Sequence, residues 1–359
     1  MDLTKLLKPK SVAVIGASEK EGFGGDVCRN ILTYMEDRSH VYFIHPKRDQ
    51  VFGVPCYKSV TEVPESVDLM VICTSQKTVI PLLKEGAAKG CGGAVIFASG
   101  YGEVGTDEGR ANEKELMETA RELGIAVMGP NCAGFVNYVD NVQAFAFISD
   151  KRDRKGSVGV VSQSGQLCLS LMDCPGMRFS YSISAGNGKI VQMEDYMDFL
   201  VEDENTKVVS VYIEGVKNAD KFAAVLKKAA DKRKPVVILK AGRSAKGGAI
   251  AASHTGSLSG SDASFDAVLK KFGAIRVDDA GRADGHVPYA LHLKTDAKAG
   301  HICLHEPLRR GDRNLCRCGK FKRYRIPGFH EGDPGFSERA ASLLRLTQQS
   351  AGYDGEPLL

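Results

Sequence analysis

The sequence has no tryptophan, an absence that nothing else in it explains. Other absences exclude more. No apolar stretch approaches the roughly 20 residues of a membrane-spanning helix, so no membrane partner is expected. Net charge is only +4, with no long basic block, which argues against nucleic acid as the main partner. The start, Met1-Asp2-Leu3-Thr4-Lys5, has no signal-peptide core, and a cytoplasmic protein is expected. Cysteine is not scarce, but Cys28, Cys56, Cys73, Cys91, Cys132, Cys168 and Cys174 stand singly, several inside apolar runs. They read as reduced, buried thiols and not as a disulfide framework.

What is present is an ordinary soluble composition, 43% apolar and 26% charged, in a chain of 359 residues with room for two domains. Short β-branched runs alternate with helical patterns. Strands are expected at 11–15, 41–44, 69–73, 93–97 and 125–128, with helices such as 79–89 and 113–123 between them. That alternation predicts an α/β fold, a doubly wound parallel sheet covered on both faces. The pattern restarts with strands at 157–161, 208–213 and 235–240 and a helix at 219–231. Two doubly wound domains are therefore expected, residues 1–150 and 151–279, followed by an atypical tail, 280–359.

Ligands of open parallel sheets bind at the carboxyl ends of strands. After the first strand come Gly16-Ala17-Ser18 and Gly22-Phe23-Gly24-Gly25, where backbone amides at a helix N-terminus can cradle a diphosphate. The G-x-G-x-x-G spacing is missing, and the second strand ends in His45-Pro46-Lys47-Arg48 where an NAD site would place an acid. A cationic tip suits an extra phosphate, so NADP or coenzyme A is favoured over NAD. Polar turns containing Thr74, Ser99 and Asn131 follow the next three strands. Five decorated strand ends in succession favour a ligand cleft over plain turns.

In the second half, Ser162-Gln163-Ser164-Gly165 follows a strand and opens a helix, an anion site or an ordinary serine cap. Glu214 ends the next strand. His254 lies in a run of small residues, 251–260, with Gly247, Gly248, Gly256 and Gly260 around it. Alone it reads as a surface histidine in a bendable loop. Beside an anion-binding helix end and a carboxylate able to hold one imidazole nitrogen, it completes the parts of a phosphohistidine relay.

In this order the motifs resemble the NDP-forming acyl-CoA synthetases, the ADP-forming acetate–CoA ligases above all, relatives of the succinyl-CoA synthetase α subunit. The resemblance covers Met1 to about Asp279. It implies a Rossmann-like CoA-binding domain followed by a flavodoxin-like, succinyl-CoA synthetase-like domain. Carried over, Gly16, Ser18, Lys47 and Thr74 hold CoA, with Ser99 and Asn131 in the same cofactor site. Ser162, Ser164 and Gly165 hold phosphate, Glu214 orients His254, and His254 carries the phosphoryl group. The resemblance further implies an ATP-grasp module, on a β subunit or fused downstream, that binds ADP or ATP with Mg. No such module is found in this chain. The rival readings are a CoA-binding regulatory module without catalysis and an NADP-dependent oxidoreductase.

The tail does not fit. His301, Cys303, His305, Cys316 and Cys318 cluster, but Cys316 and Cys318 are too close for a recognised zinc ligand set, so no metal is expected. Read one base later, permitted codons let 305–314 spell M-S-L-S-G-G-E-T-G-I and 348–353 spell N-N-P-L-D-M. Both strings resemble the family's next domain. A frameshift near Ala280 is the expectation, with a disordered tail beyond it. Resequencing the DNA from the Lys270 codon onward decides this: an unbroken frame there ends the idea.

Overall fold

The computed structural model describes residues 1–148, 155–173, 177–241 and 262–277, together with three short strands in the tail. Its first sheet contains β1 (Val12–Ile15), β2 (Val41–Ile44), β3 (Gln50–Val51), β4 (Val54–Tyr57), β5 (Leu69–Ile72), β6 (Gly93–Ile96) and β7 (Ala126–Met128). The order is β3-β4-β2-β1-β5-β6-β7, parallel except for the small β3–β4 hairpin. β1, β5, β6 and β7 are buried along their whole length, as runs such as Val12-Ala13-Val14-Ile15 require of a sheet covered on both faces. The covering helices include α1 (Thr4–Leu7), α2 (Phe23–Tyr34), α3 (Val79–Ala88) and α4 (Asp107–Leu123). α4 shows why these segments are helical. Thr106 Oγ1 accepts from Gly109 N at 3.0 Å, Asp107 and Glu108 follow in the first turn, and Gly124 closes the helix at φ +66°.

The second sheet contains β8 (Gly134–Asn137), β9 (Val142–Phe145), β10 (Lys155–Ser162), β11 (Phe179–Ser184), β12 (Val208–Ile213), β13 (Val236–Lys240) and β14 (Ile275–Val277). Its order is β14-β13-β12-β10-β11-β8-β9. β10 to β14 run parallel, and the β8–β9 hairpin adds antiparallel to β11. The helices are α5 (Gly165–Met172), α6 (Met193–Glu202), α7 (Ala219–Asp231) and α8 (Asp262–Phe272).

Sequence and structure differ at several places, the short strands β3, β4 and β14 among them. A boundary at 150 falls after the β8–β9 hairpin, whereas the sheets divide before it, because β8 pairs with β11 through Gly134↔Ser184 to Asn137↔Tyr181. β11 and α6 carry no expectation from the sequence. The alternating serines of Phe179-Ser180-Tyr181-Ser182-Ile183-Ser184 imitate a half-exposed segment, yet all six residues are buried. In the tail, where strand runs vanish by eye, β15 (Leu293–Asp296), β16 (His301–His305) and β17 (Phe321–Arg325) pair antiparallel.

The two sheets share one core, which runs from Val14, Val71 and Val95 through Phe135 and Ala144 to Val161, Ile183 and Val211. Polar ties cross the same boundary. Asn30 Nδ2 on α2 donates to the carbonyls of Phe145 and Phe147 at 2.9 and 2.8 Å. Lys8 pairs with the buried Asp203 at 2.8 Å. The halves are therefore held in one arrangement, and that arrangement decides which strand ends face each other.

Candidate functional site

Both sheets reverse direction of growth once. In the first sheet the chain passes from β1 to β2 on one side and later to β5 on the other. In the second it passes from β10 to β11 and later to β12 on the opposite side. The loops leaving the two strands at such a reversal diverge and open a crevice. Gly16 and Thr74 leave β1 and β5, while the Ser162 turn and Glu214 leave β10 and β12. Two expected sites thus fall on the two crevices.

The first crevice is built by close backbone approach. Gly16 has φ +84°, and a Cβ there would meet Thr74 Cγ2 at 2.8 Å. A Cβ on Gly24, in the first turn of α2, would lie 2.3 Å from the Gly16 carbonyl oxygen. Gly22 occupies the cap position at φ +114° and supplies no side-chain cap, so the first-turn amides of α2 are not claimed by one. Ser18 Oγ accepts from Lys20 N at 3.1 Å, and Thr74 Oγ1 lies 2.6 Å from Thr78 Oγ1. Lys47 is exposed at the end of β2, beside His45, whose Nδ1 accepts from the Lys47 and Arg48 amides at 3.1 Å each. Desolvation, then the charges of Arg48, Lys58 and Lys47, hold the His45 imidazole below its ordinary pKa. The tip is therefore cationic through Lys and Arg and does not depend on histidine protonation. Ser99 is exposed after β6. Phe23 and Phe97 pack at 5.4 Å between centroids, joining the α2 N-terminus to that same strand end.

The turn after β7 connects the two sites. It contains a cis Gly129–Pro130 bond, and Asn131 sits at φ +57° with its amide on the Ala98 carbonyl at 3.1 Å. Cys132 is buried, and desolvation pushes its thiol up to about 12, which removes it as a nucleophile. Ala133 N donates to Ser184 Oγ at 3.0 Å, and a Cβ on Gly165 would lie 3.2 Å from the Ala133 Cβ. The last turn of the first crevice therefore abuts the N-terminus of α5.

At that N-terminus the serines are structural as well as polar. Ser162 is fully buried; its Oγ donates to the Ser164 carbonyl at 2.7 Å and accepts from Ser164 N at 3.1 Å. Ser164 caps α5, accepting from Leu167 N at 3.2 Å. What the turn offers an anion is the helix end itself, the orphan first-turn amides beginning at Gly165. Glu214 follows β12 directly and is half-buried. His254 lies outside the described residues.

Sequence reading passed over the residues that hold these loops together. Gln163, between the two serines, uses its side-chain amide on the Glu214–Gly215 backbone. Glu194, 1% exposed, accepts the Lys217 and Asn218 amides at 3.1 and 3.2 Å. Lys217 donates to the carbonyls of Asn187 and Gly188. Asn187 Nδ2 in turn reaches Glu103, and Lys189 pairs with Glu113 at 3.2 Å. No single one of these has a local sequence signal, since every partner is distant in the chain.

Burial, and then the charge of Lys189, lower the Lys217 ammonium from 10.5 to about 8, with Glu113 and Glu194 opposing. Below pH 8 the lysine is charged in both folded and unfolded chains and the cost of burying it is present in full. Between pH 8 and 10.5 the folded chain sheds this proton first, so stability gained from this group rises with pH. Relative to Lys217→Met, the wild-type protein is expected to gain up to about 3 kcal/mol over that window. Urea denaturation of both proteins at pH 7, 8.5 and 10 checks it; a difference that stays flat or shrinks counts against a depressed Lys217.

Among the described residues, no helix is long and apolar enough to cross a membrane, and no three His, Cys, Asp or Glu side chains could hold a metal ion. Residues 10–138 match the family profile of a CoA binding domain, and residues 155–284 that of a succinyl-CoA ligase like flavodoxin domain. An ADP-forming acetate–CoA ligase I of Archaeoglobus fulgidus is 37% identical over 84% of this chain and 43% of its own length. The α subunit of the ADP-forming acetate–CoA ligase II of Pyrococcus furiosus is 39% identical over 76% of this chain and 59% of its own. Among solved structures, the dinucleotide-forming acetyl-coenzyme A synthetase 1 of Ca. Korarchaeum cryptofilum, with phosphate and ADP, matches at TM-score 0.71. It is 33% identical, over 77% of this chain and 60% of that one. The chain thus spans less than two thirds of the length of these relatives.

Proposed function

The chain belongs to the NDP-forming acyl-CoA synthetase family, and from that membership we propose that it is the CoA-binding and phosphohistidine-carrying part of an ADP-forming acyl-CoA synthetase. The observation that carries this reading is the close approach of the Gly129–Ala133 turn to the start of α5, where a Cβ on Gly165 would lie 3.2 Å from the Ala133 Cβ. Acyl-CoA and phosphate must meet for the reaction to begin, and the end of the first crevice lies beside the α5 N-terminus, the proposed anion site.

In the first step a phosphate oxygen attacks the thioester carbonyl. The C–S bond breaks, and free CoA and acyl phosphate result. The amides at the N-terminus of α5 face the charge that develops on the phosphate. In the second step an imidazole nitrogen of His254 attacks phosphorus, the P–O bond to the acyl group breaks, and the carboxylate leaves. Glu214 holds the other imidazole nitrogen and favours the cation that forms. Gly16, Ser18, Lys47 and Thr74 are the proposed CoA contacts, with Ser99 and Asn131 along the same row of strand ends. The final transfer to ADP requires an ATP-grasp module, as a partner subunit or a fused domain, which would also bring Mg.

The test is labelling with acetyl-CoA and radioactive inorganic phosphate. We expect an acid-labile, base-stable label on the chain that requires both reagents, and measurable binding of CoA in their absence. CoA binding without label would leave only a non-catalytic CoA-binding module. Binding of NADP(H) in place of CoA would overturn the reading altogether.

A further inference from the structure

The Ser162 turn and the Glu214 loop leave neighbouring parallel strands, paired up to Ser162↔Tyr212. Beyond that pair the ladder ends, and nothing in a parallel sheet fixes how two diverging loops sit. Gln163 takes over at that point. Its own amide donates to the Tyr212 carbonyl at 3.2 Å. Its side-chain Oε1 accepts from Glu214 N at 2.5 Å and from Gly215 N at 3.1 Å, and its Nε2 donates to the Gly215 carbonyl at 3.1 Å. A glutamine amide can make four hydrogen bonds, and three of these are spent on two consecutive residues across the crevice.

Other ties on the same loop come from elsewhere in the fold. Lys240 Nζ donates to the Glu214 carbonyl at 3.2 Å, and Glu194 holds the amides of Lys217 and Asn218. Gln163 joins the Glu214–Gly215 backbone directly to the turn that opens α5. A displacement of about 1 Å between groups that must act together can cost about a hundredfold in rate. Gln163 removes that freedom.

Resting on the functional reading above, we propose that Gln163 is a positioning residue for phosphoryl transfer. It locks the backbone of Glu214 to the turn carrying the anion-binding end of α5, so the orienting carboxylate and the phosphate site move as one body. Gln163 acts through Glu214 and does not touch the reacting atoms.

The experiment uses the full chain, acetyl-CoA and labelled phosphate, and compares Gln163→Met, Gln163→Glu, Glu214→Gln and the double variant Gln163→Met/Glu214→Gln. Gln163→Met, nearly isosteric but without the amide, is expected to slow label formation by about ten- to a hundredfold and leave the CoA dissociation constant unchanged. Gln163→Glu keeps an acceptor for the two amides and should recover part of the loss. The double variant should be no slower than Glu214→Gln within about twofold, because residues acting through one group do not add. Amide exchange should quicken at 214–215 and stay unchanged along 158–161.

Wild-type labelling by Gln163→Met, with Glu214→Gln slow, overturns the positioning role and leaves the functional reading intact. Full multiplication of the two single effects overturns it as well. Absence of label in the wild type, or a wild-type rate in Glu214→Gln, removes the reading and this proposal together. Should Gln163→Met fail to fold, Gln163→Asn, one methylene shorter, carries the same comparisons.

Discussion

His254→Ala is expected to carry no acid-labile label at all after incubation with acetyl-CoA and phosphate, while binding CoA as the wild type does. An alanine offers no nitrogen to phosphorylate, so the loss is complete and not graded. The CoA dissociation constant should move less than about twofold, because sites without shared partners are energetically independent. Gly16, Lys47 and Thr74 follow strands of the first sheet, whereas β13 and β14, which flank the segment containing His254, belong to the second. The strands bring the start of the segment that leads to His254 beside Glu214. β12 and β13 pair up to Ile213↔Lys240, and Ala241 N donates to the Ile213 carbonyl at 2.9 Å. The chain therefore departs toward His254 from directly beside Glu214. His254 is 13 positions further on, and at up to about 3.5 Å per residue that length can turn back to the carboxylate. Autoradiography of acid- and base-treated samples, with calorimetric titration of CoA, reads both halves of the expectation. Label surviving in His254→Ala would place the phosphoryl group on another residue. Lost CoA binding would mean that the two crevices are coupled.

How much of this was legible without coordinates depended on whether each signal was local. The strands β1, β5, β6 and β7 are continuous apolar runs, and their identity needs no partner. Glycines at 16 and 22–25 mark a turn because close approach demands them, whereas the two crevices depend on the strand order, which alternation does not give. The Gly134–Phe145 hairpin carries no expectation from the sequence, and its pairing with β11 is a long-range contact that no local pattern shows. β11 was hidden by Ser180, Ser182 and Ser184. They are satisfied inside the fold, Ser180 by Thr206 at 2.8 Å and Ser184 by the Ala133 amide, and composition cannot show that. Ser162 read as a ligand for phosphate and is found buried in its own turn. Gln163 has no role that the sequence shows, because its bonds cross 51 and 52 residues. Residues that act through long-range backbone contacts leave no periodicity to find.

Gly24→Ala is expected to weaken CoA binding by about a hundredfold or more, through the backbone alone. The added methyl would sit 2.3 Å from the Gly16 carbonyl oxygen, well inside contact distance. That oxygen belongs to backbone, and Gly16 is held by its amide on the Ile44 carbonyl at 3.0 Å and by Thr74 on its other side. The first turn of α2 must therefore retreat from the end of β1, carrying with it the amides proposed to cradle the CoA diphosphate. Hydrogen bonds to charged groups are worth about 1.5–3 kcal/mol each, so losing two gives a hundredfold or greater change. Overpacking of this kind also costs the fold about 1–3 kcal/mol, so stability has to be separated from binding. Gly90→Ala supplies the comparison. Gly90 has φ +79°, its added Cβ would meet nothing nearer than Ser66 Cβ at 3.6 Å, and it lies between α3 and β6 at the opposite ends of the strands. That variant should lose stability from backbone strain and keep wild-type CoA affinity. Calorimetric titration with CoA, alongside thermal unfolding of both variants, distinguishes the cases. Should folded Gly24→Ala bind CoA at wild-type strength, the α2 N-terminus is not the diphosphate cradle, and the cationic tip at Lys47 and Arg48 would have to hold the phosphates without it.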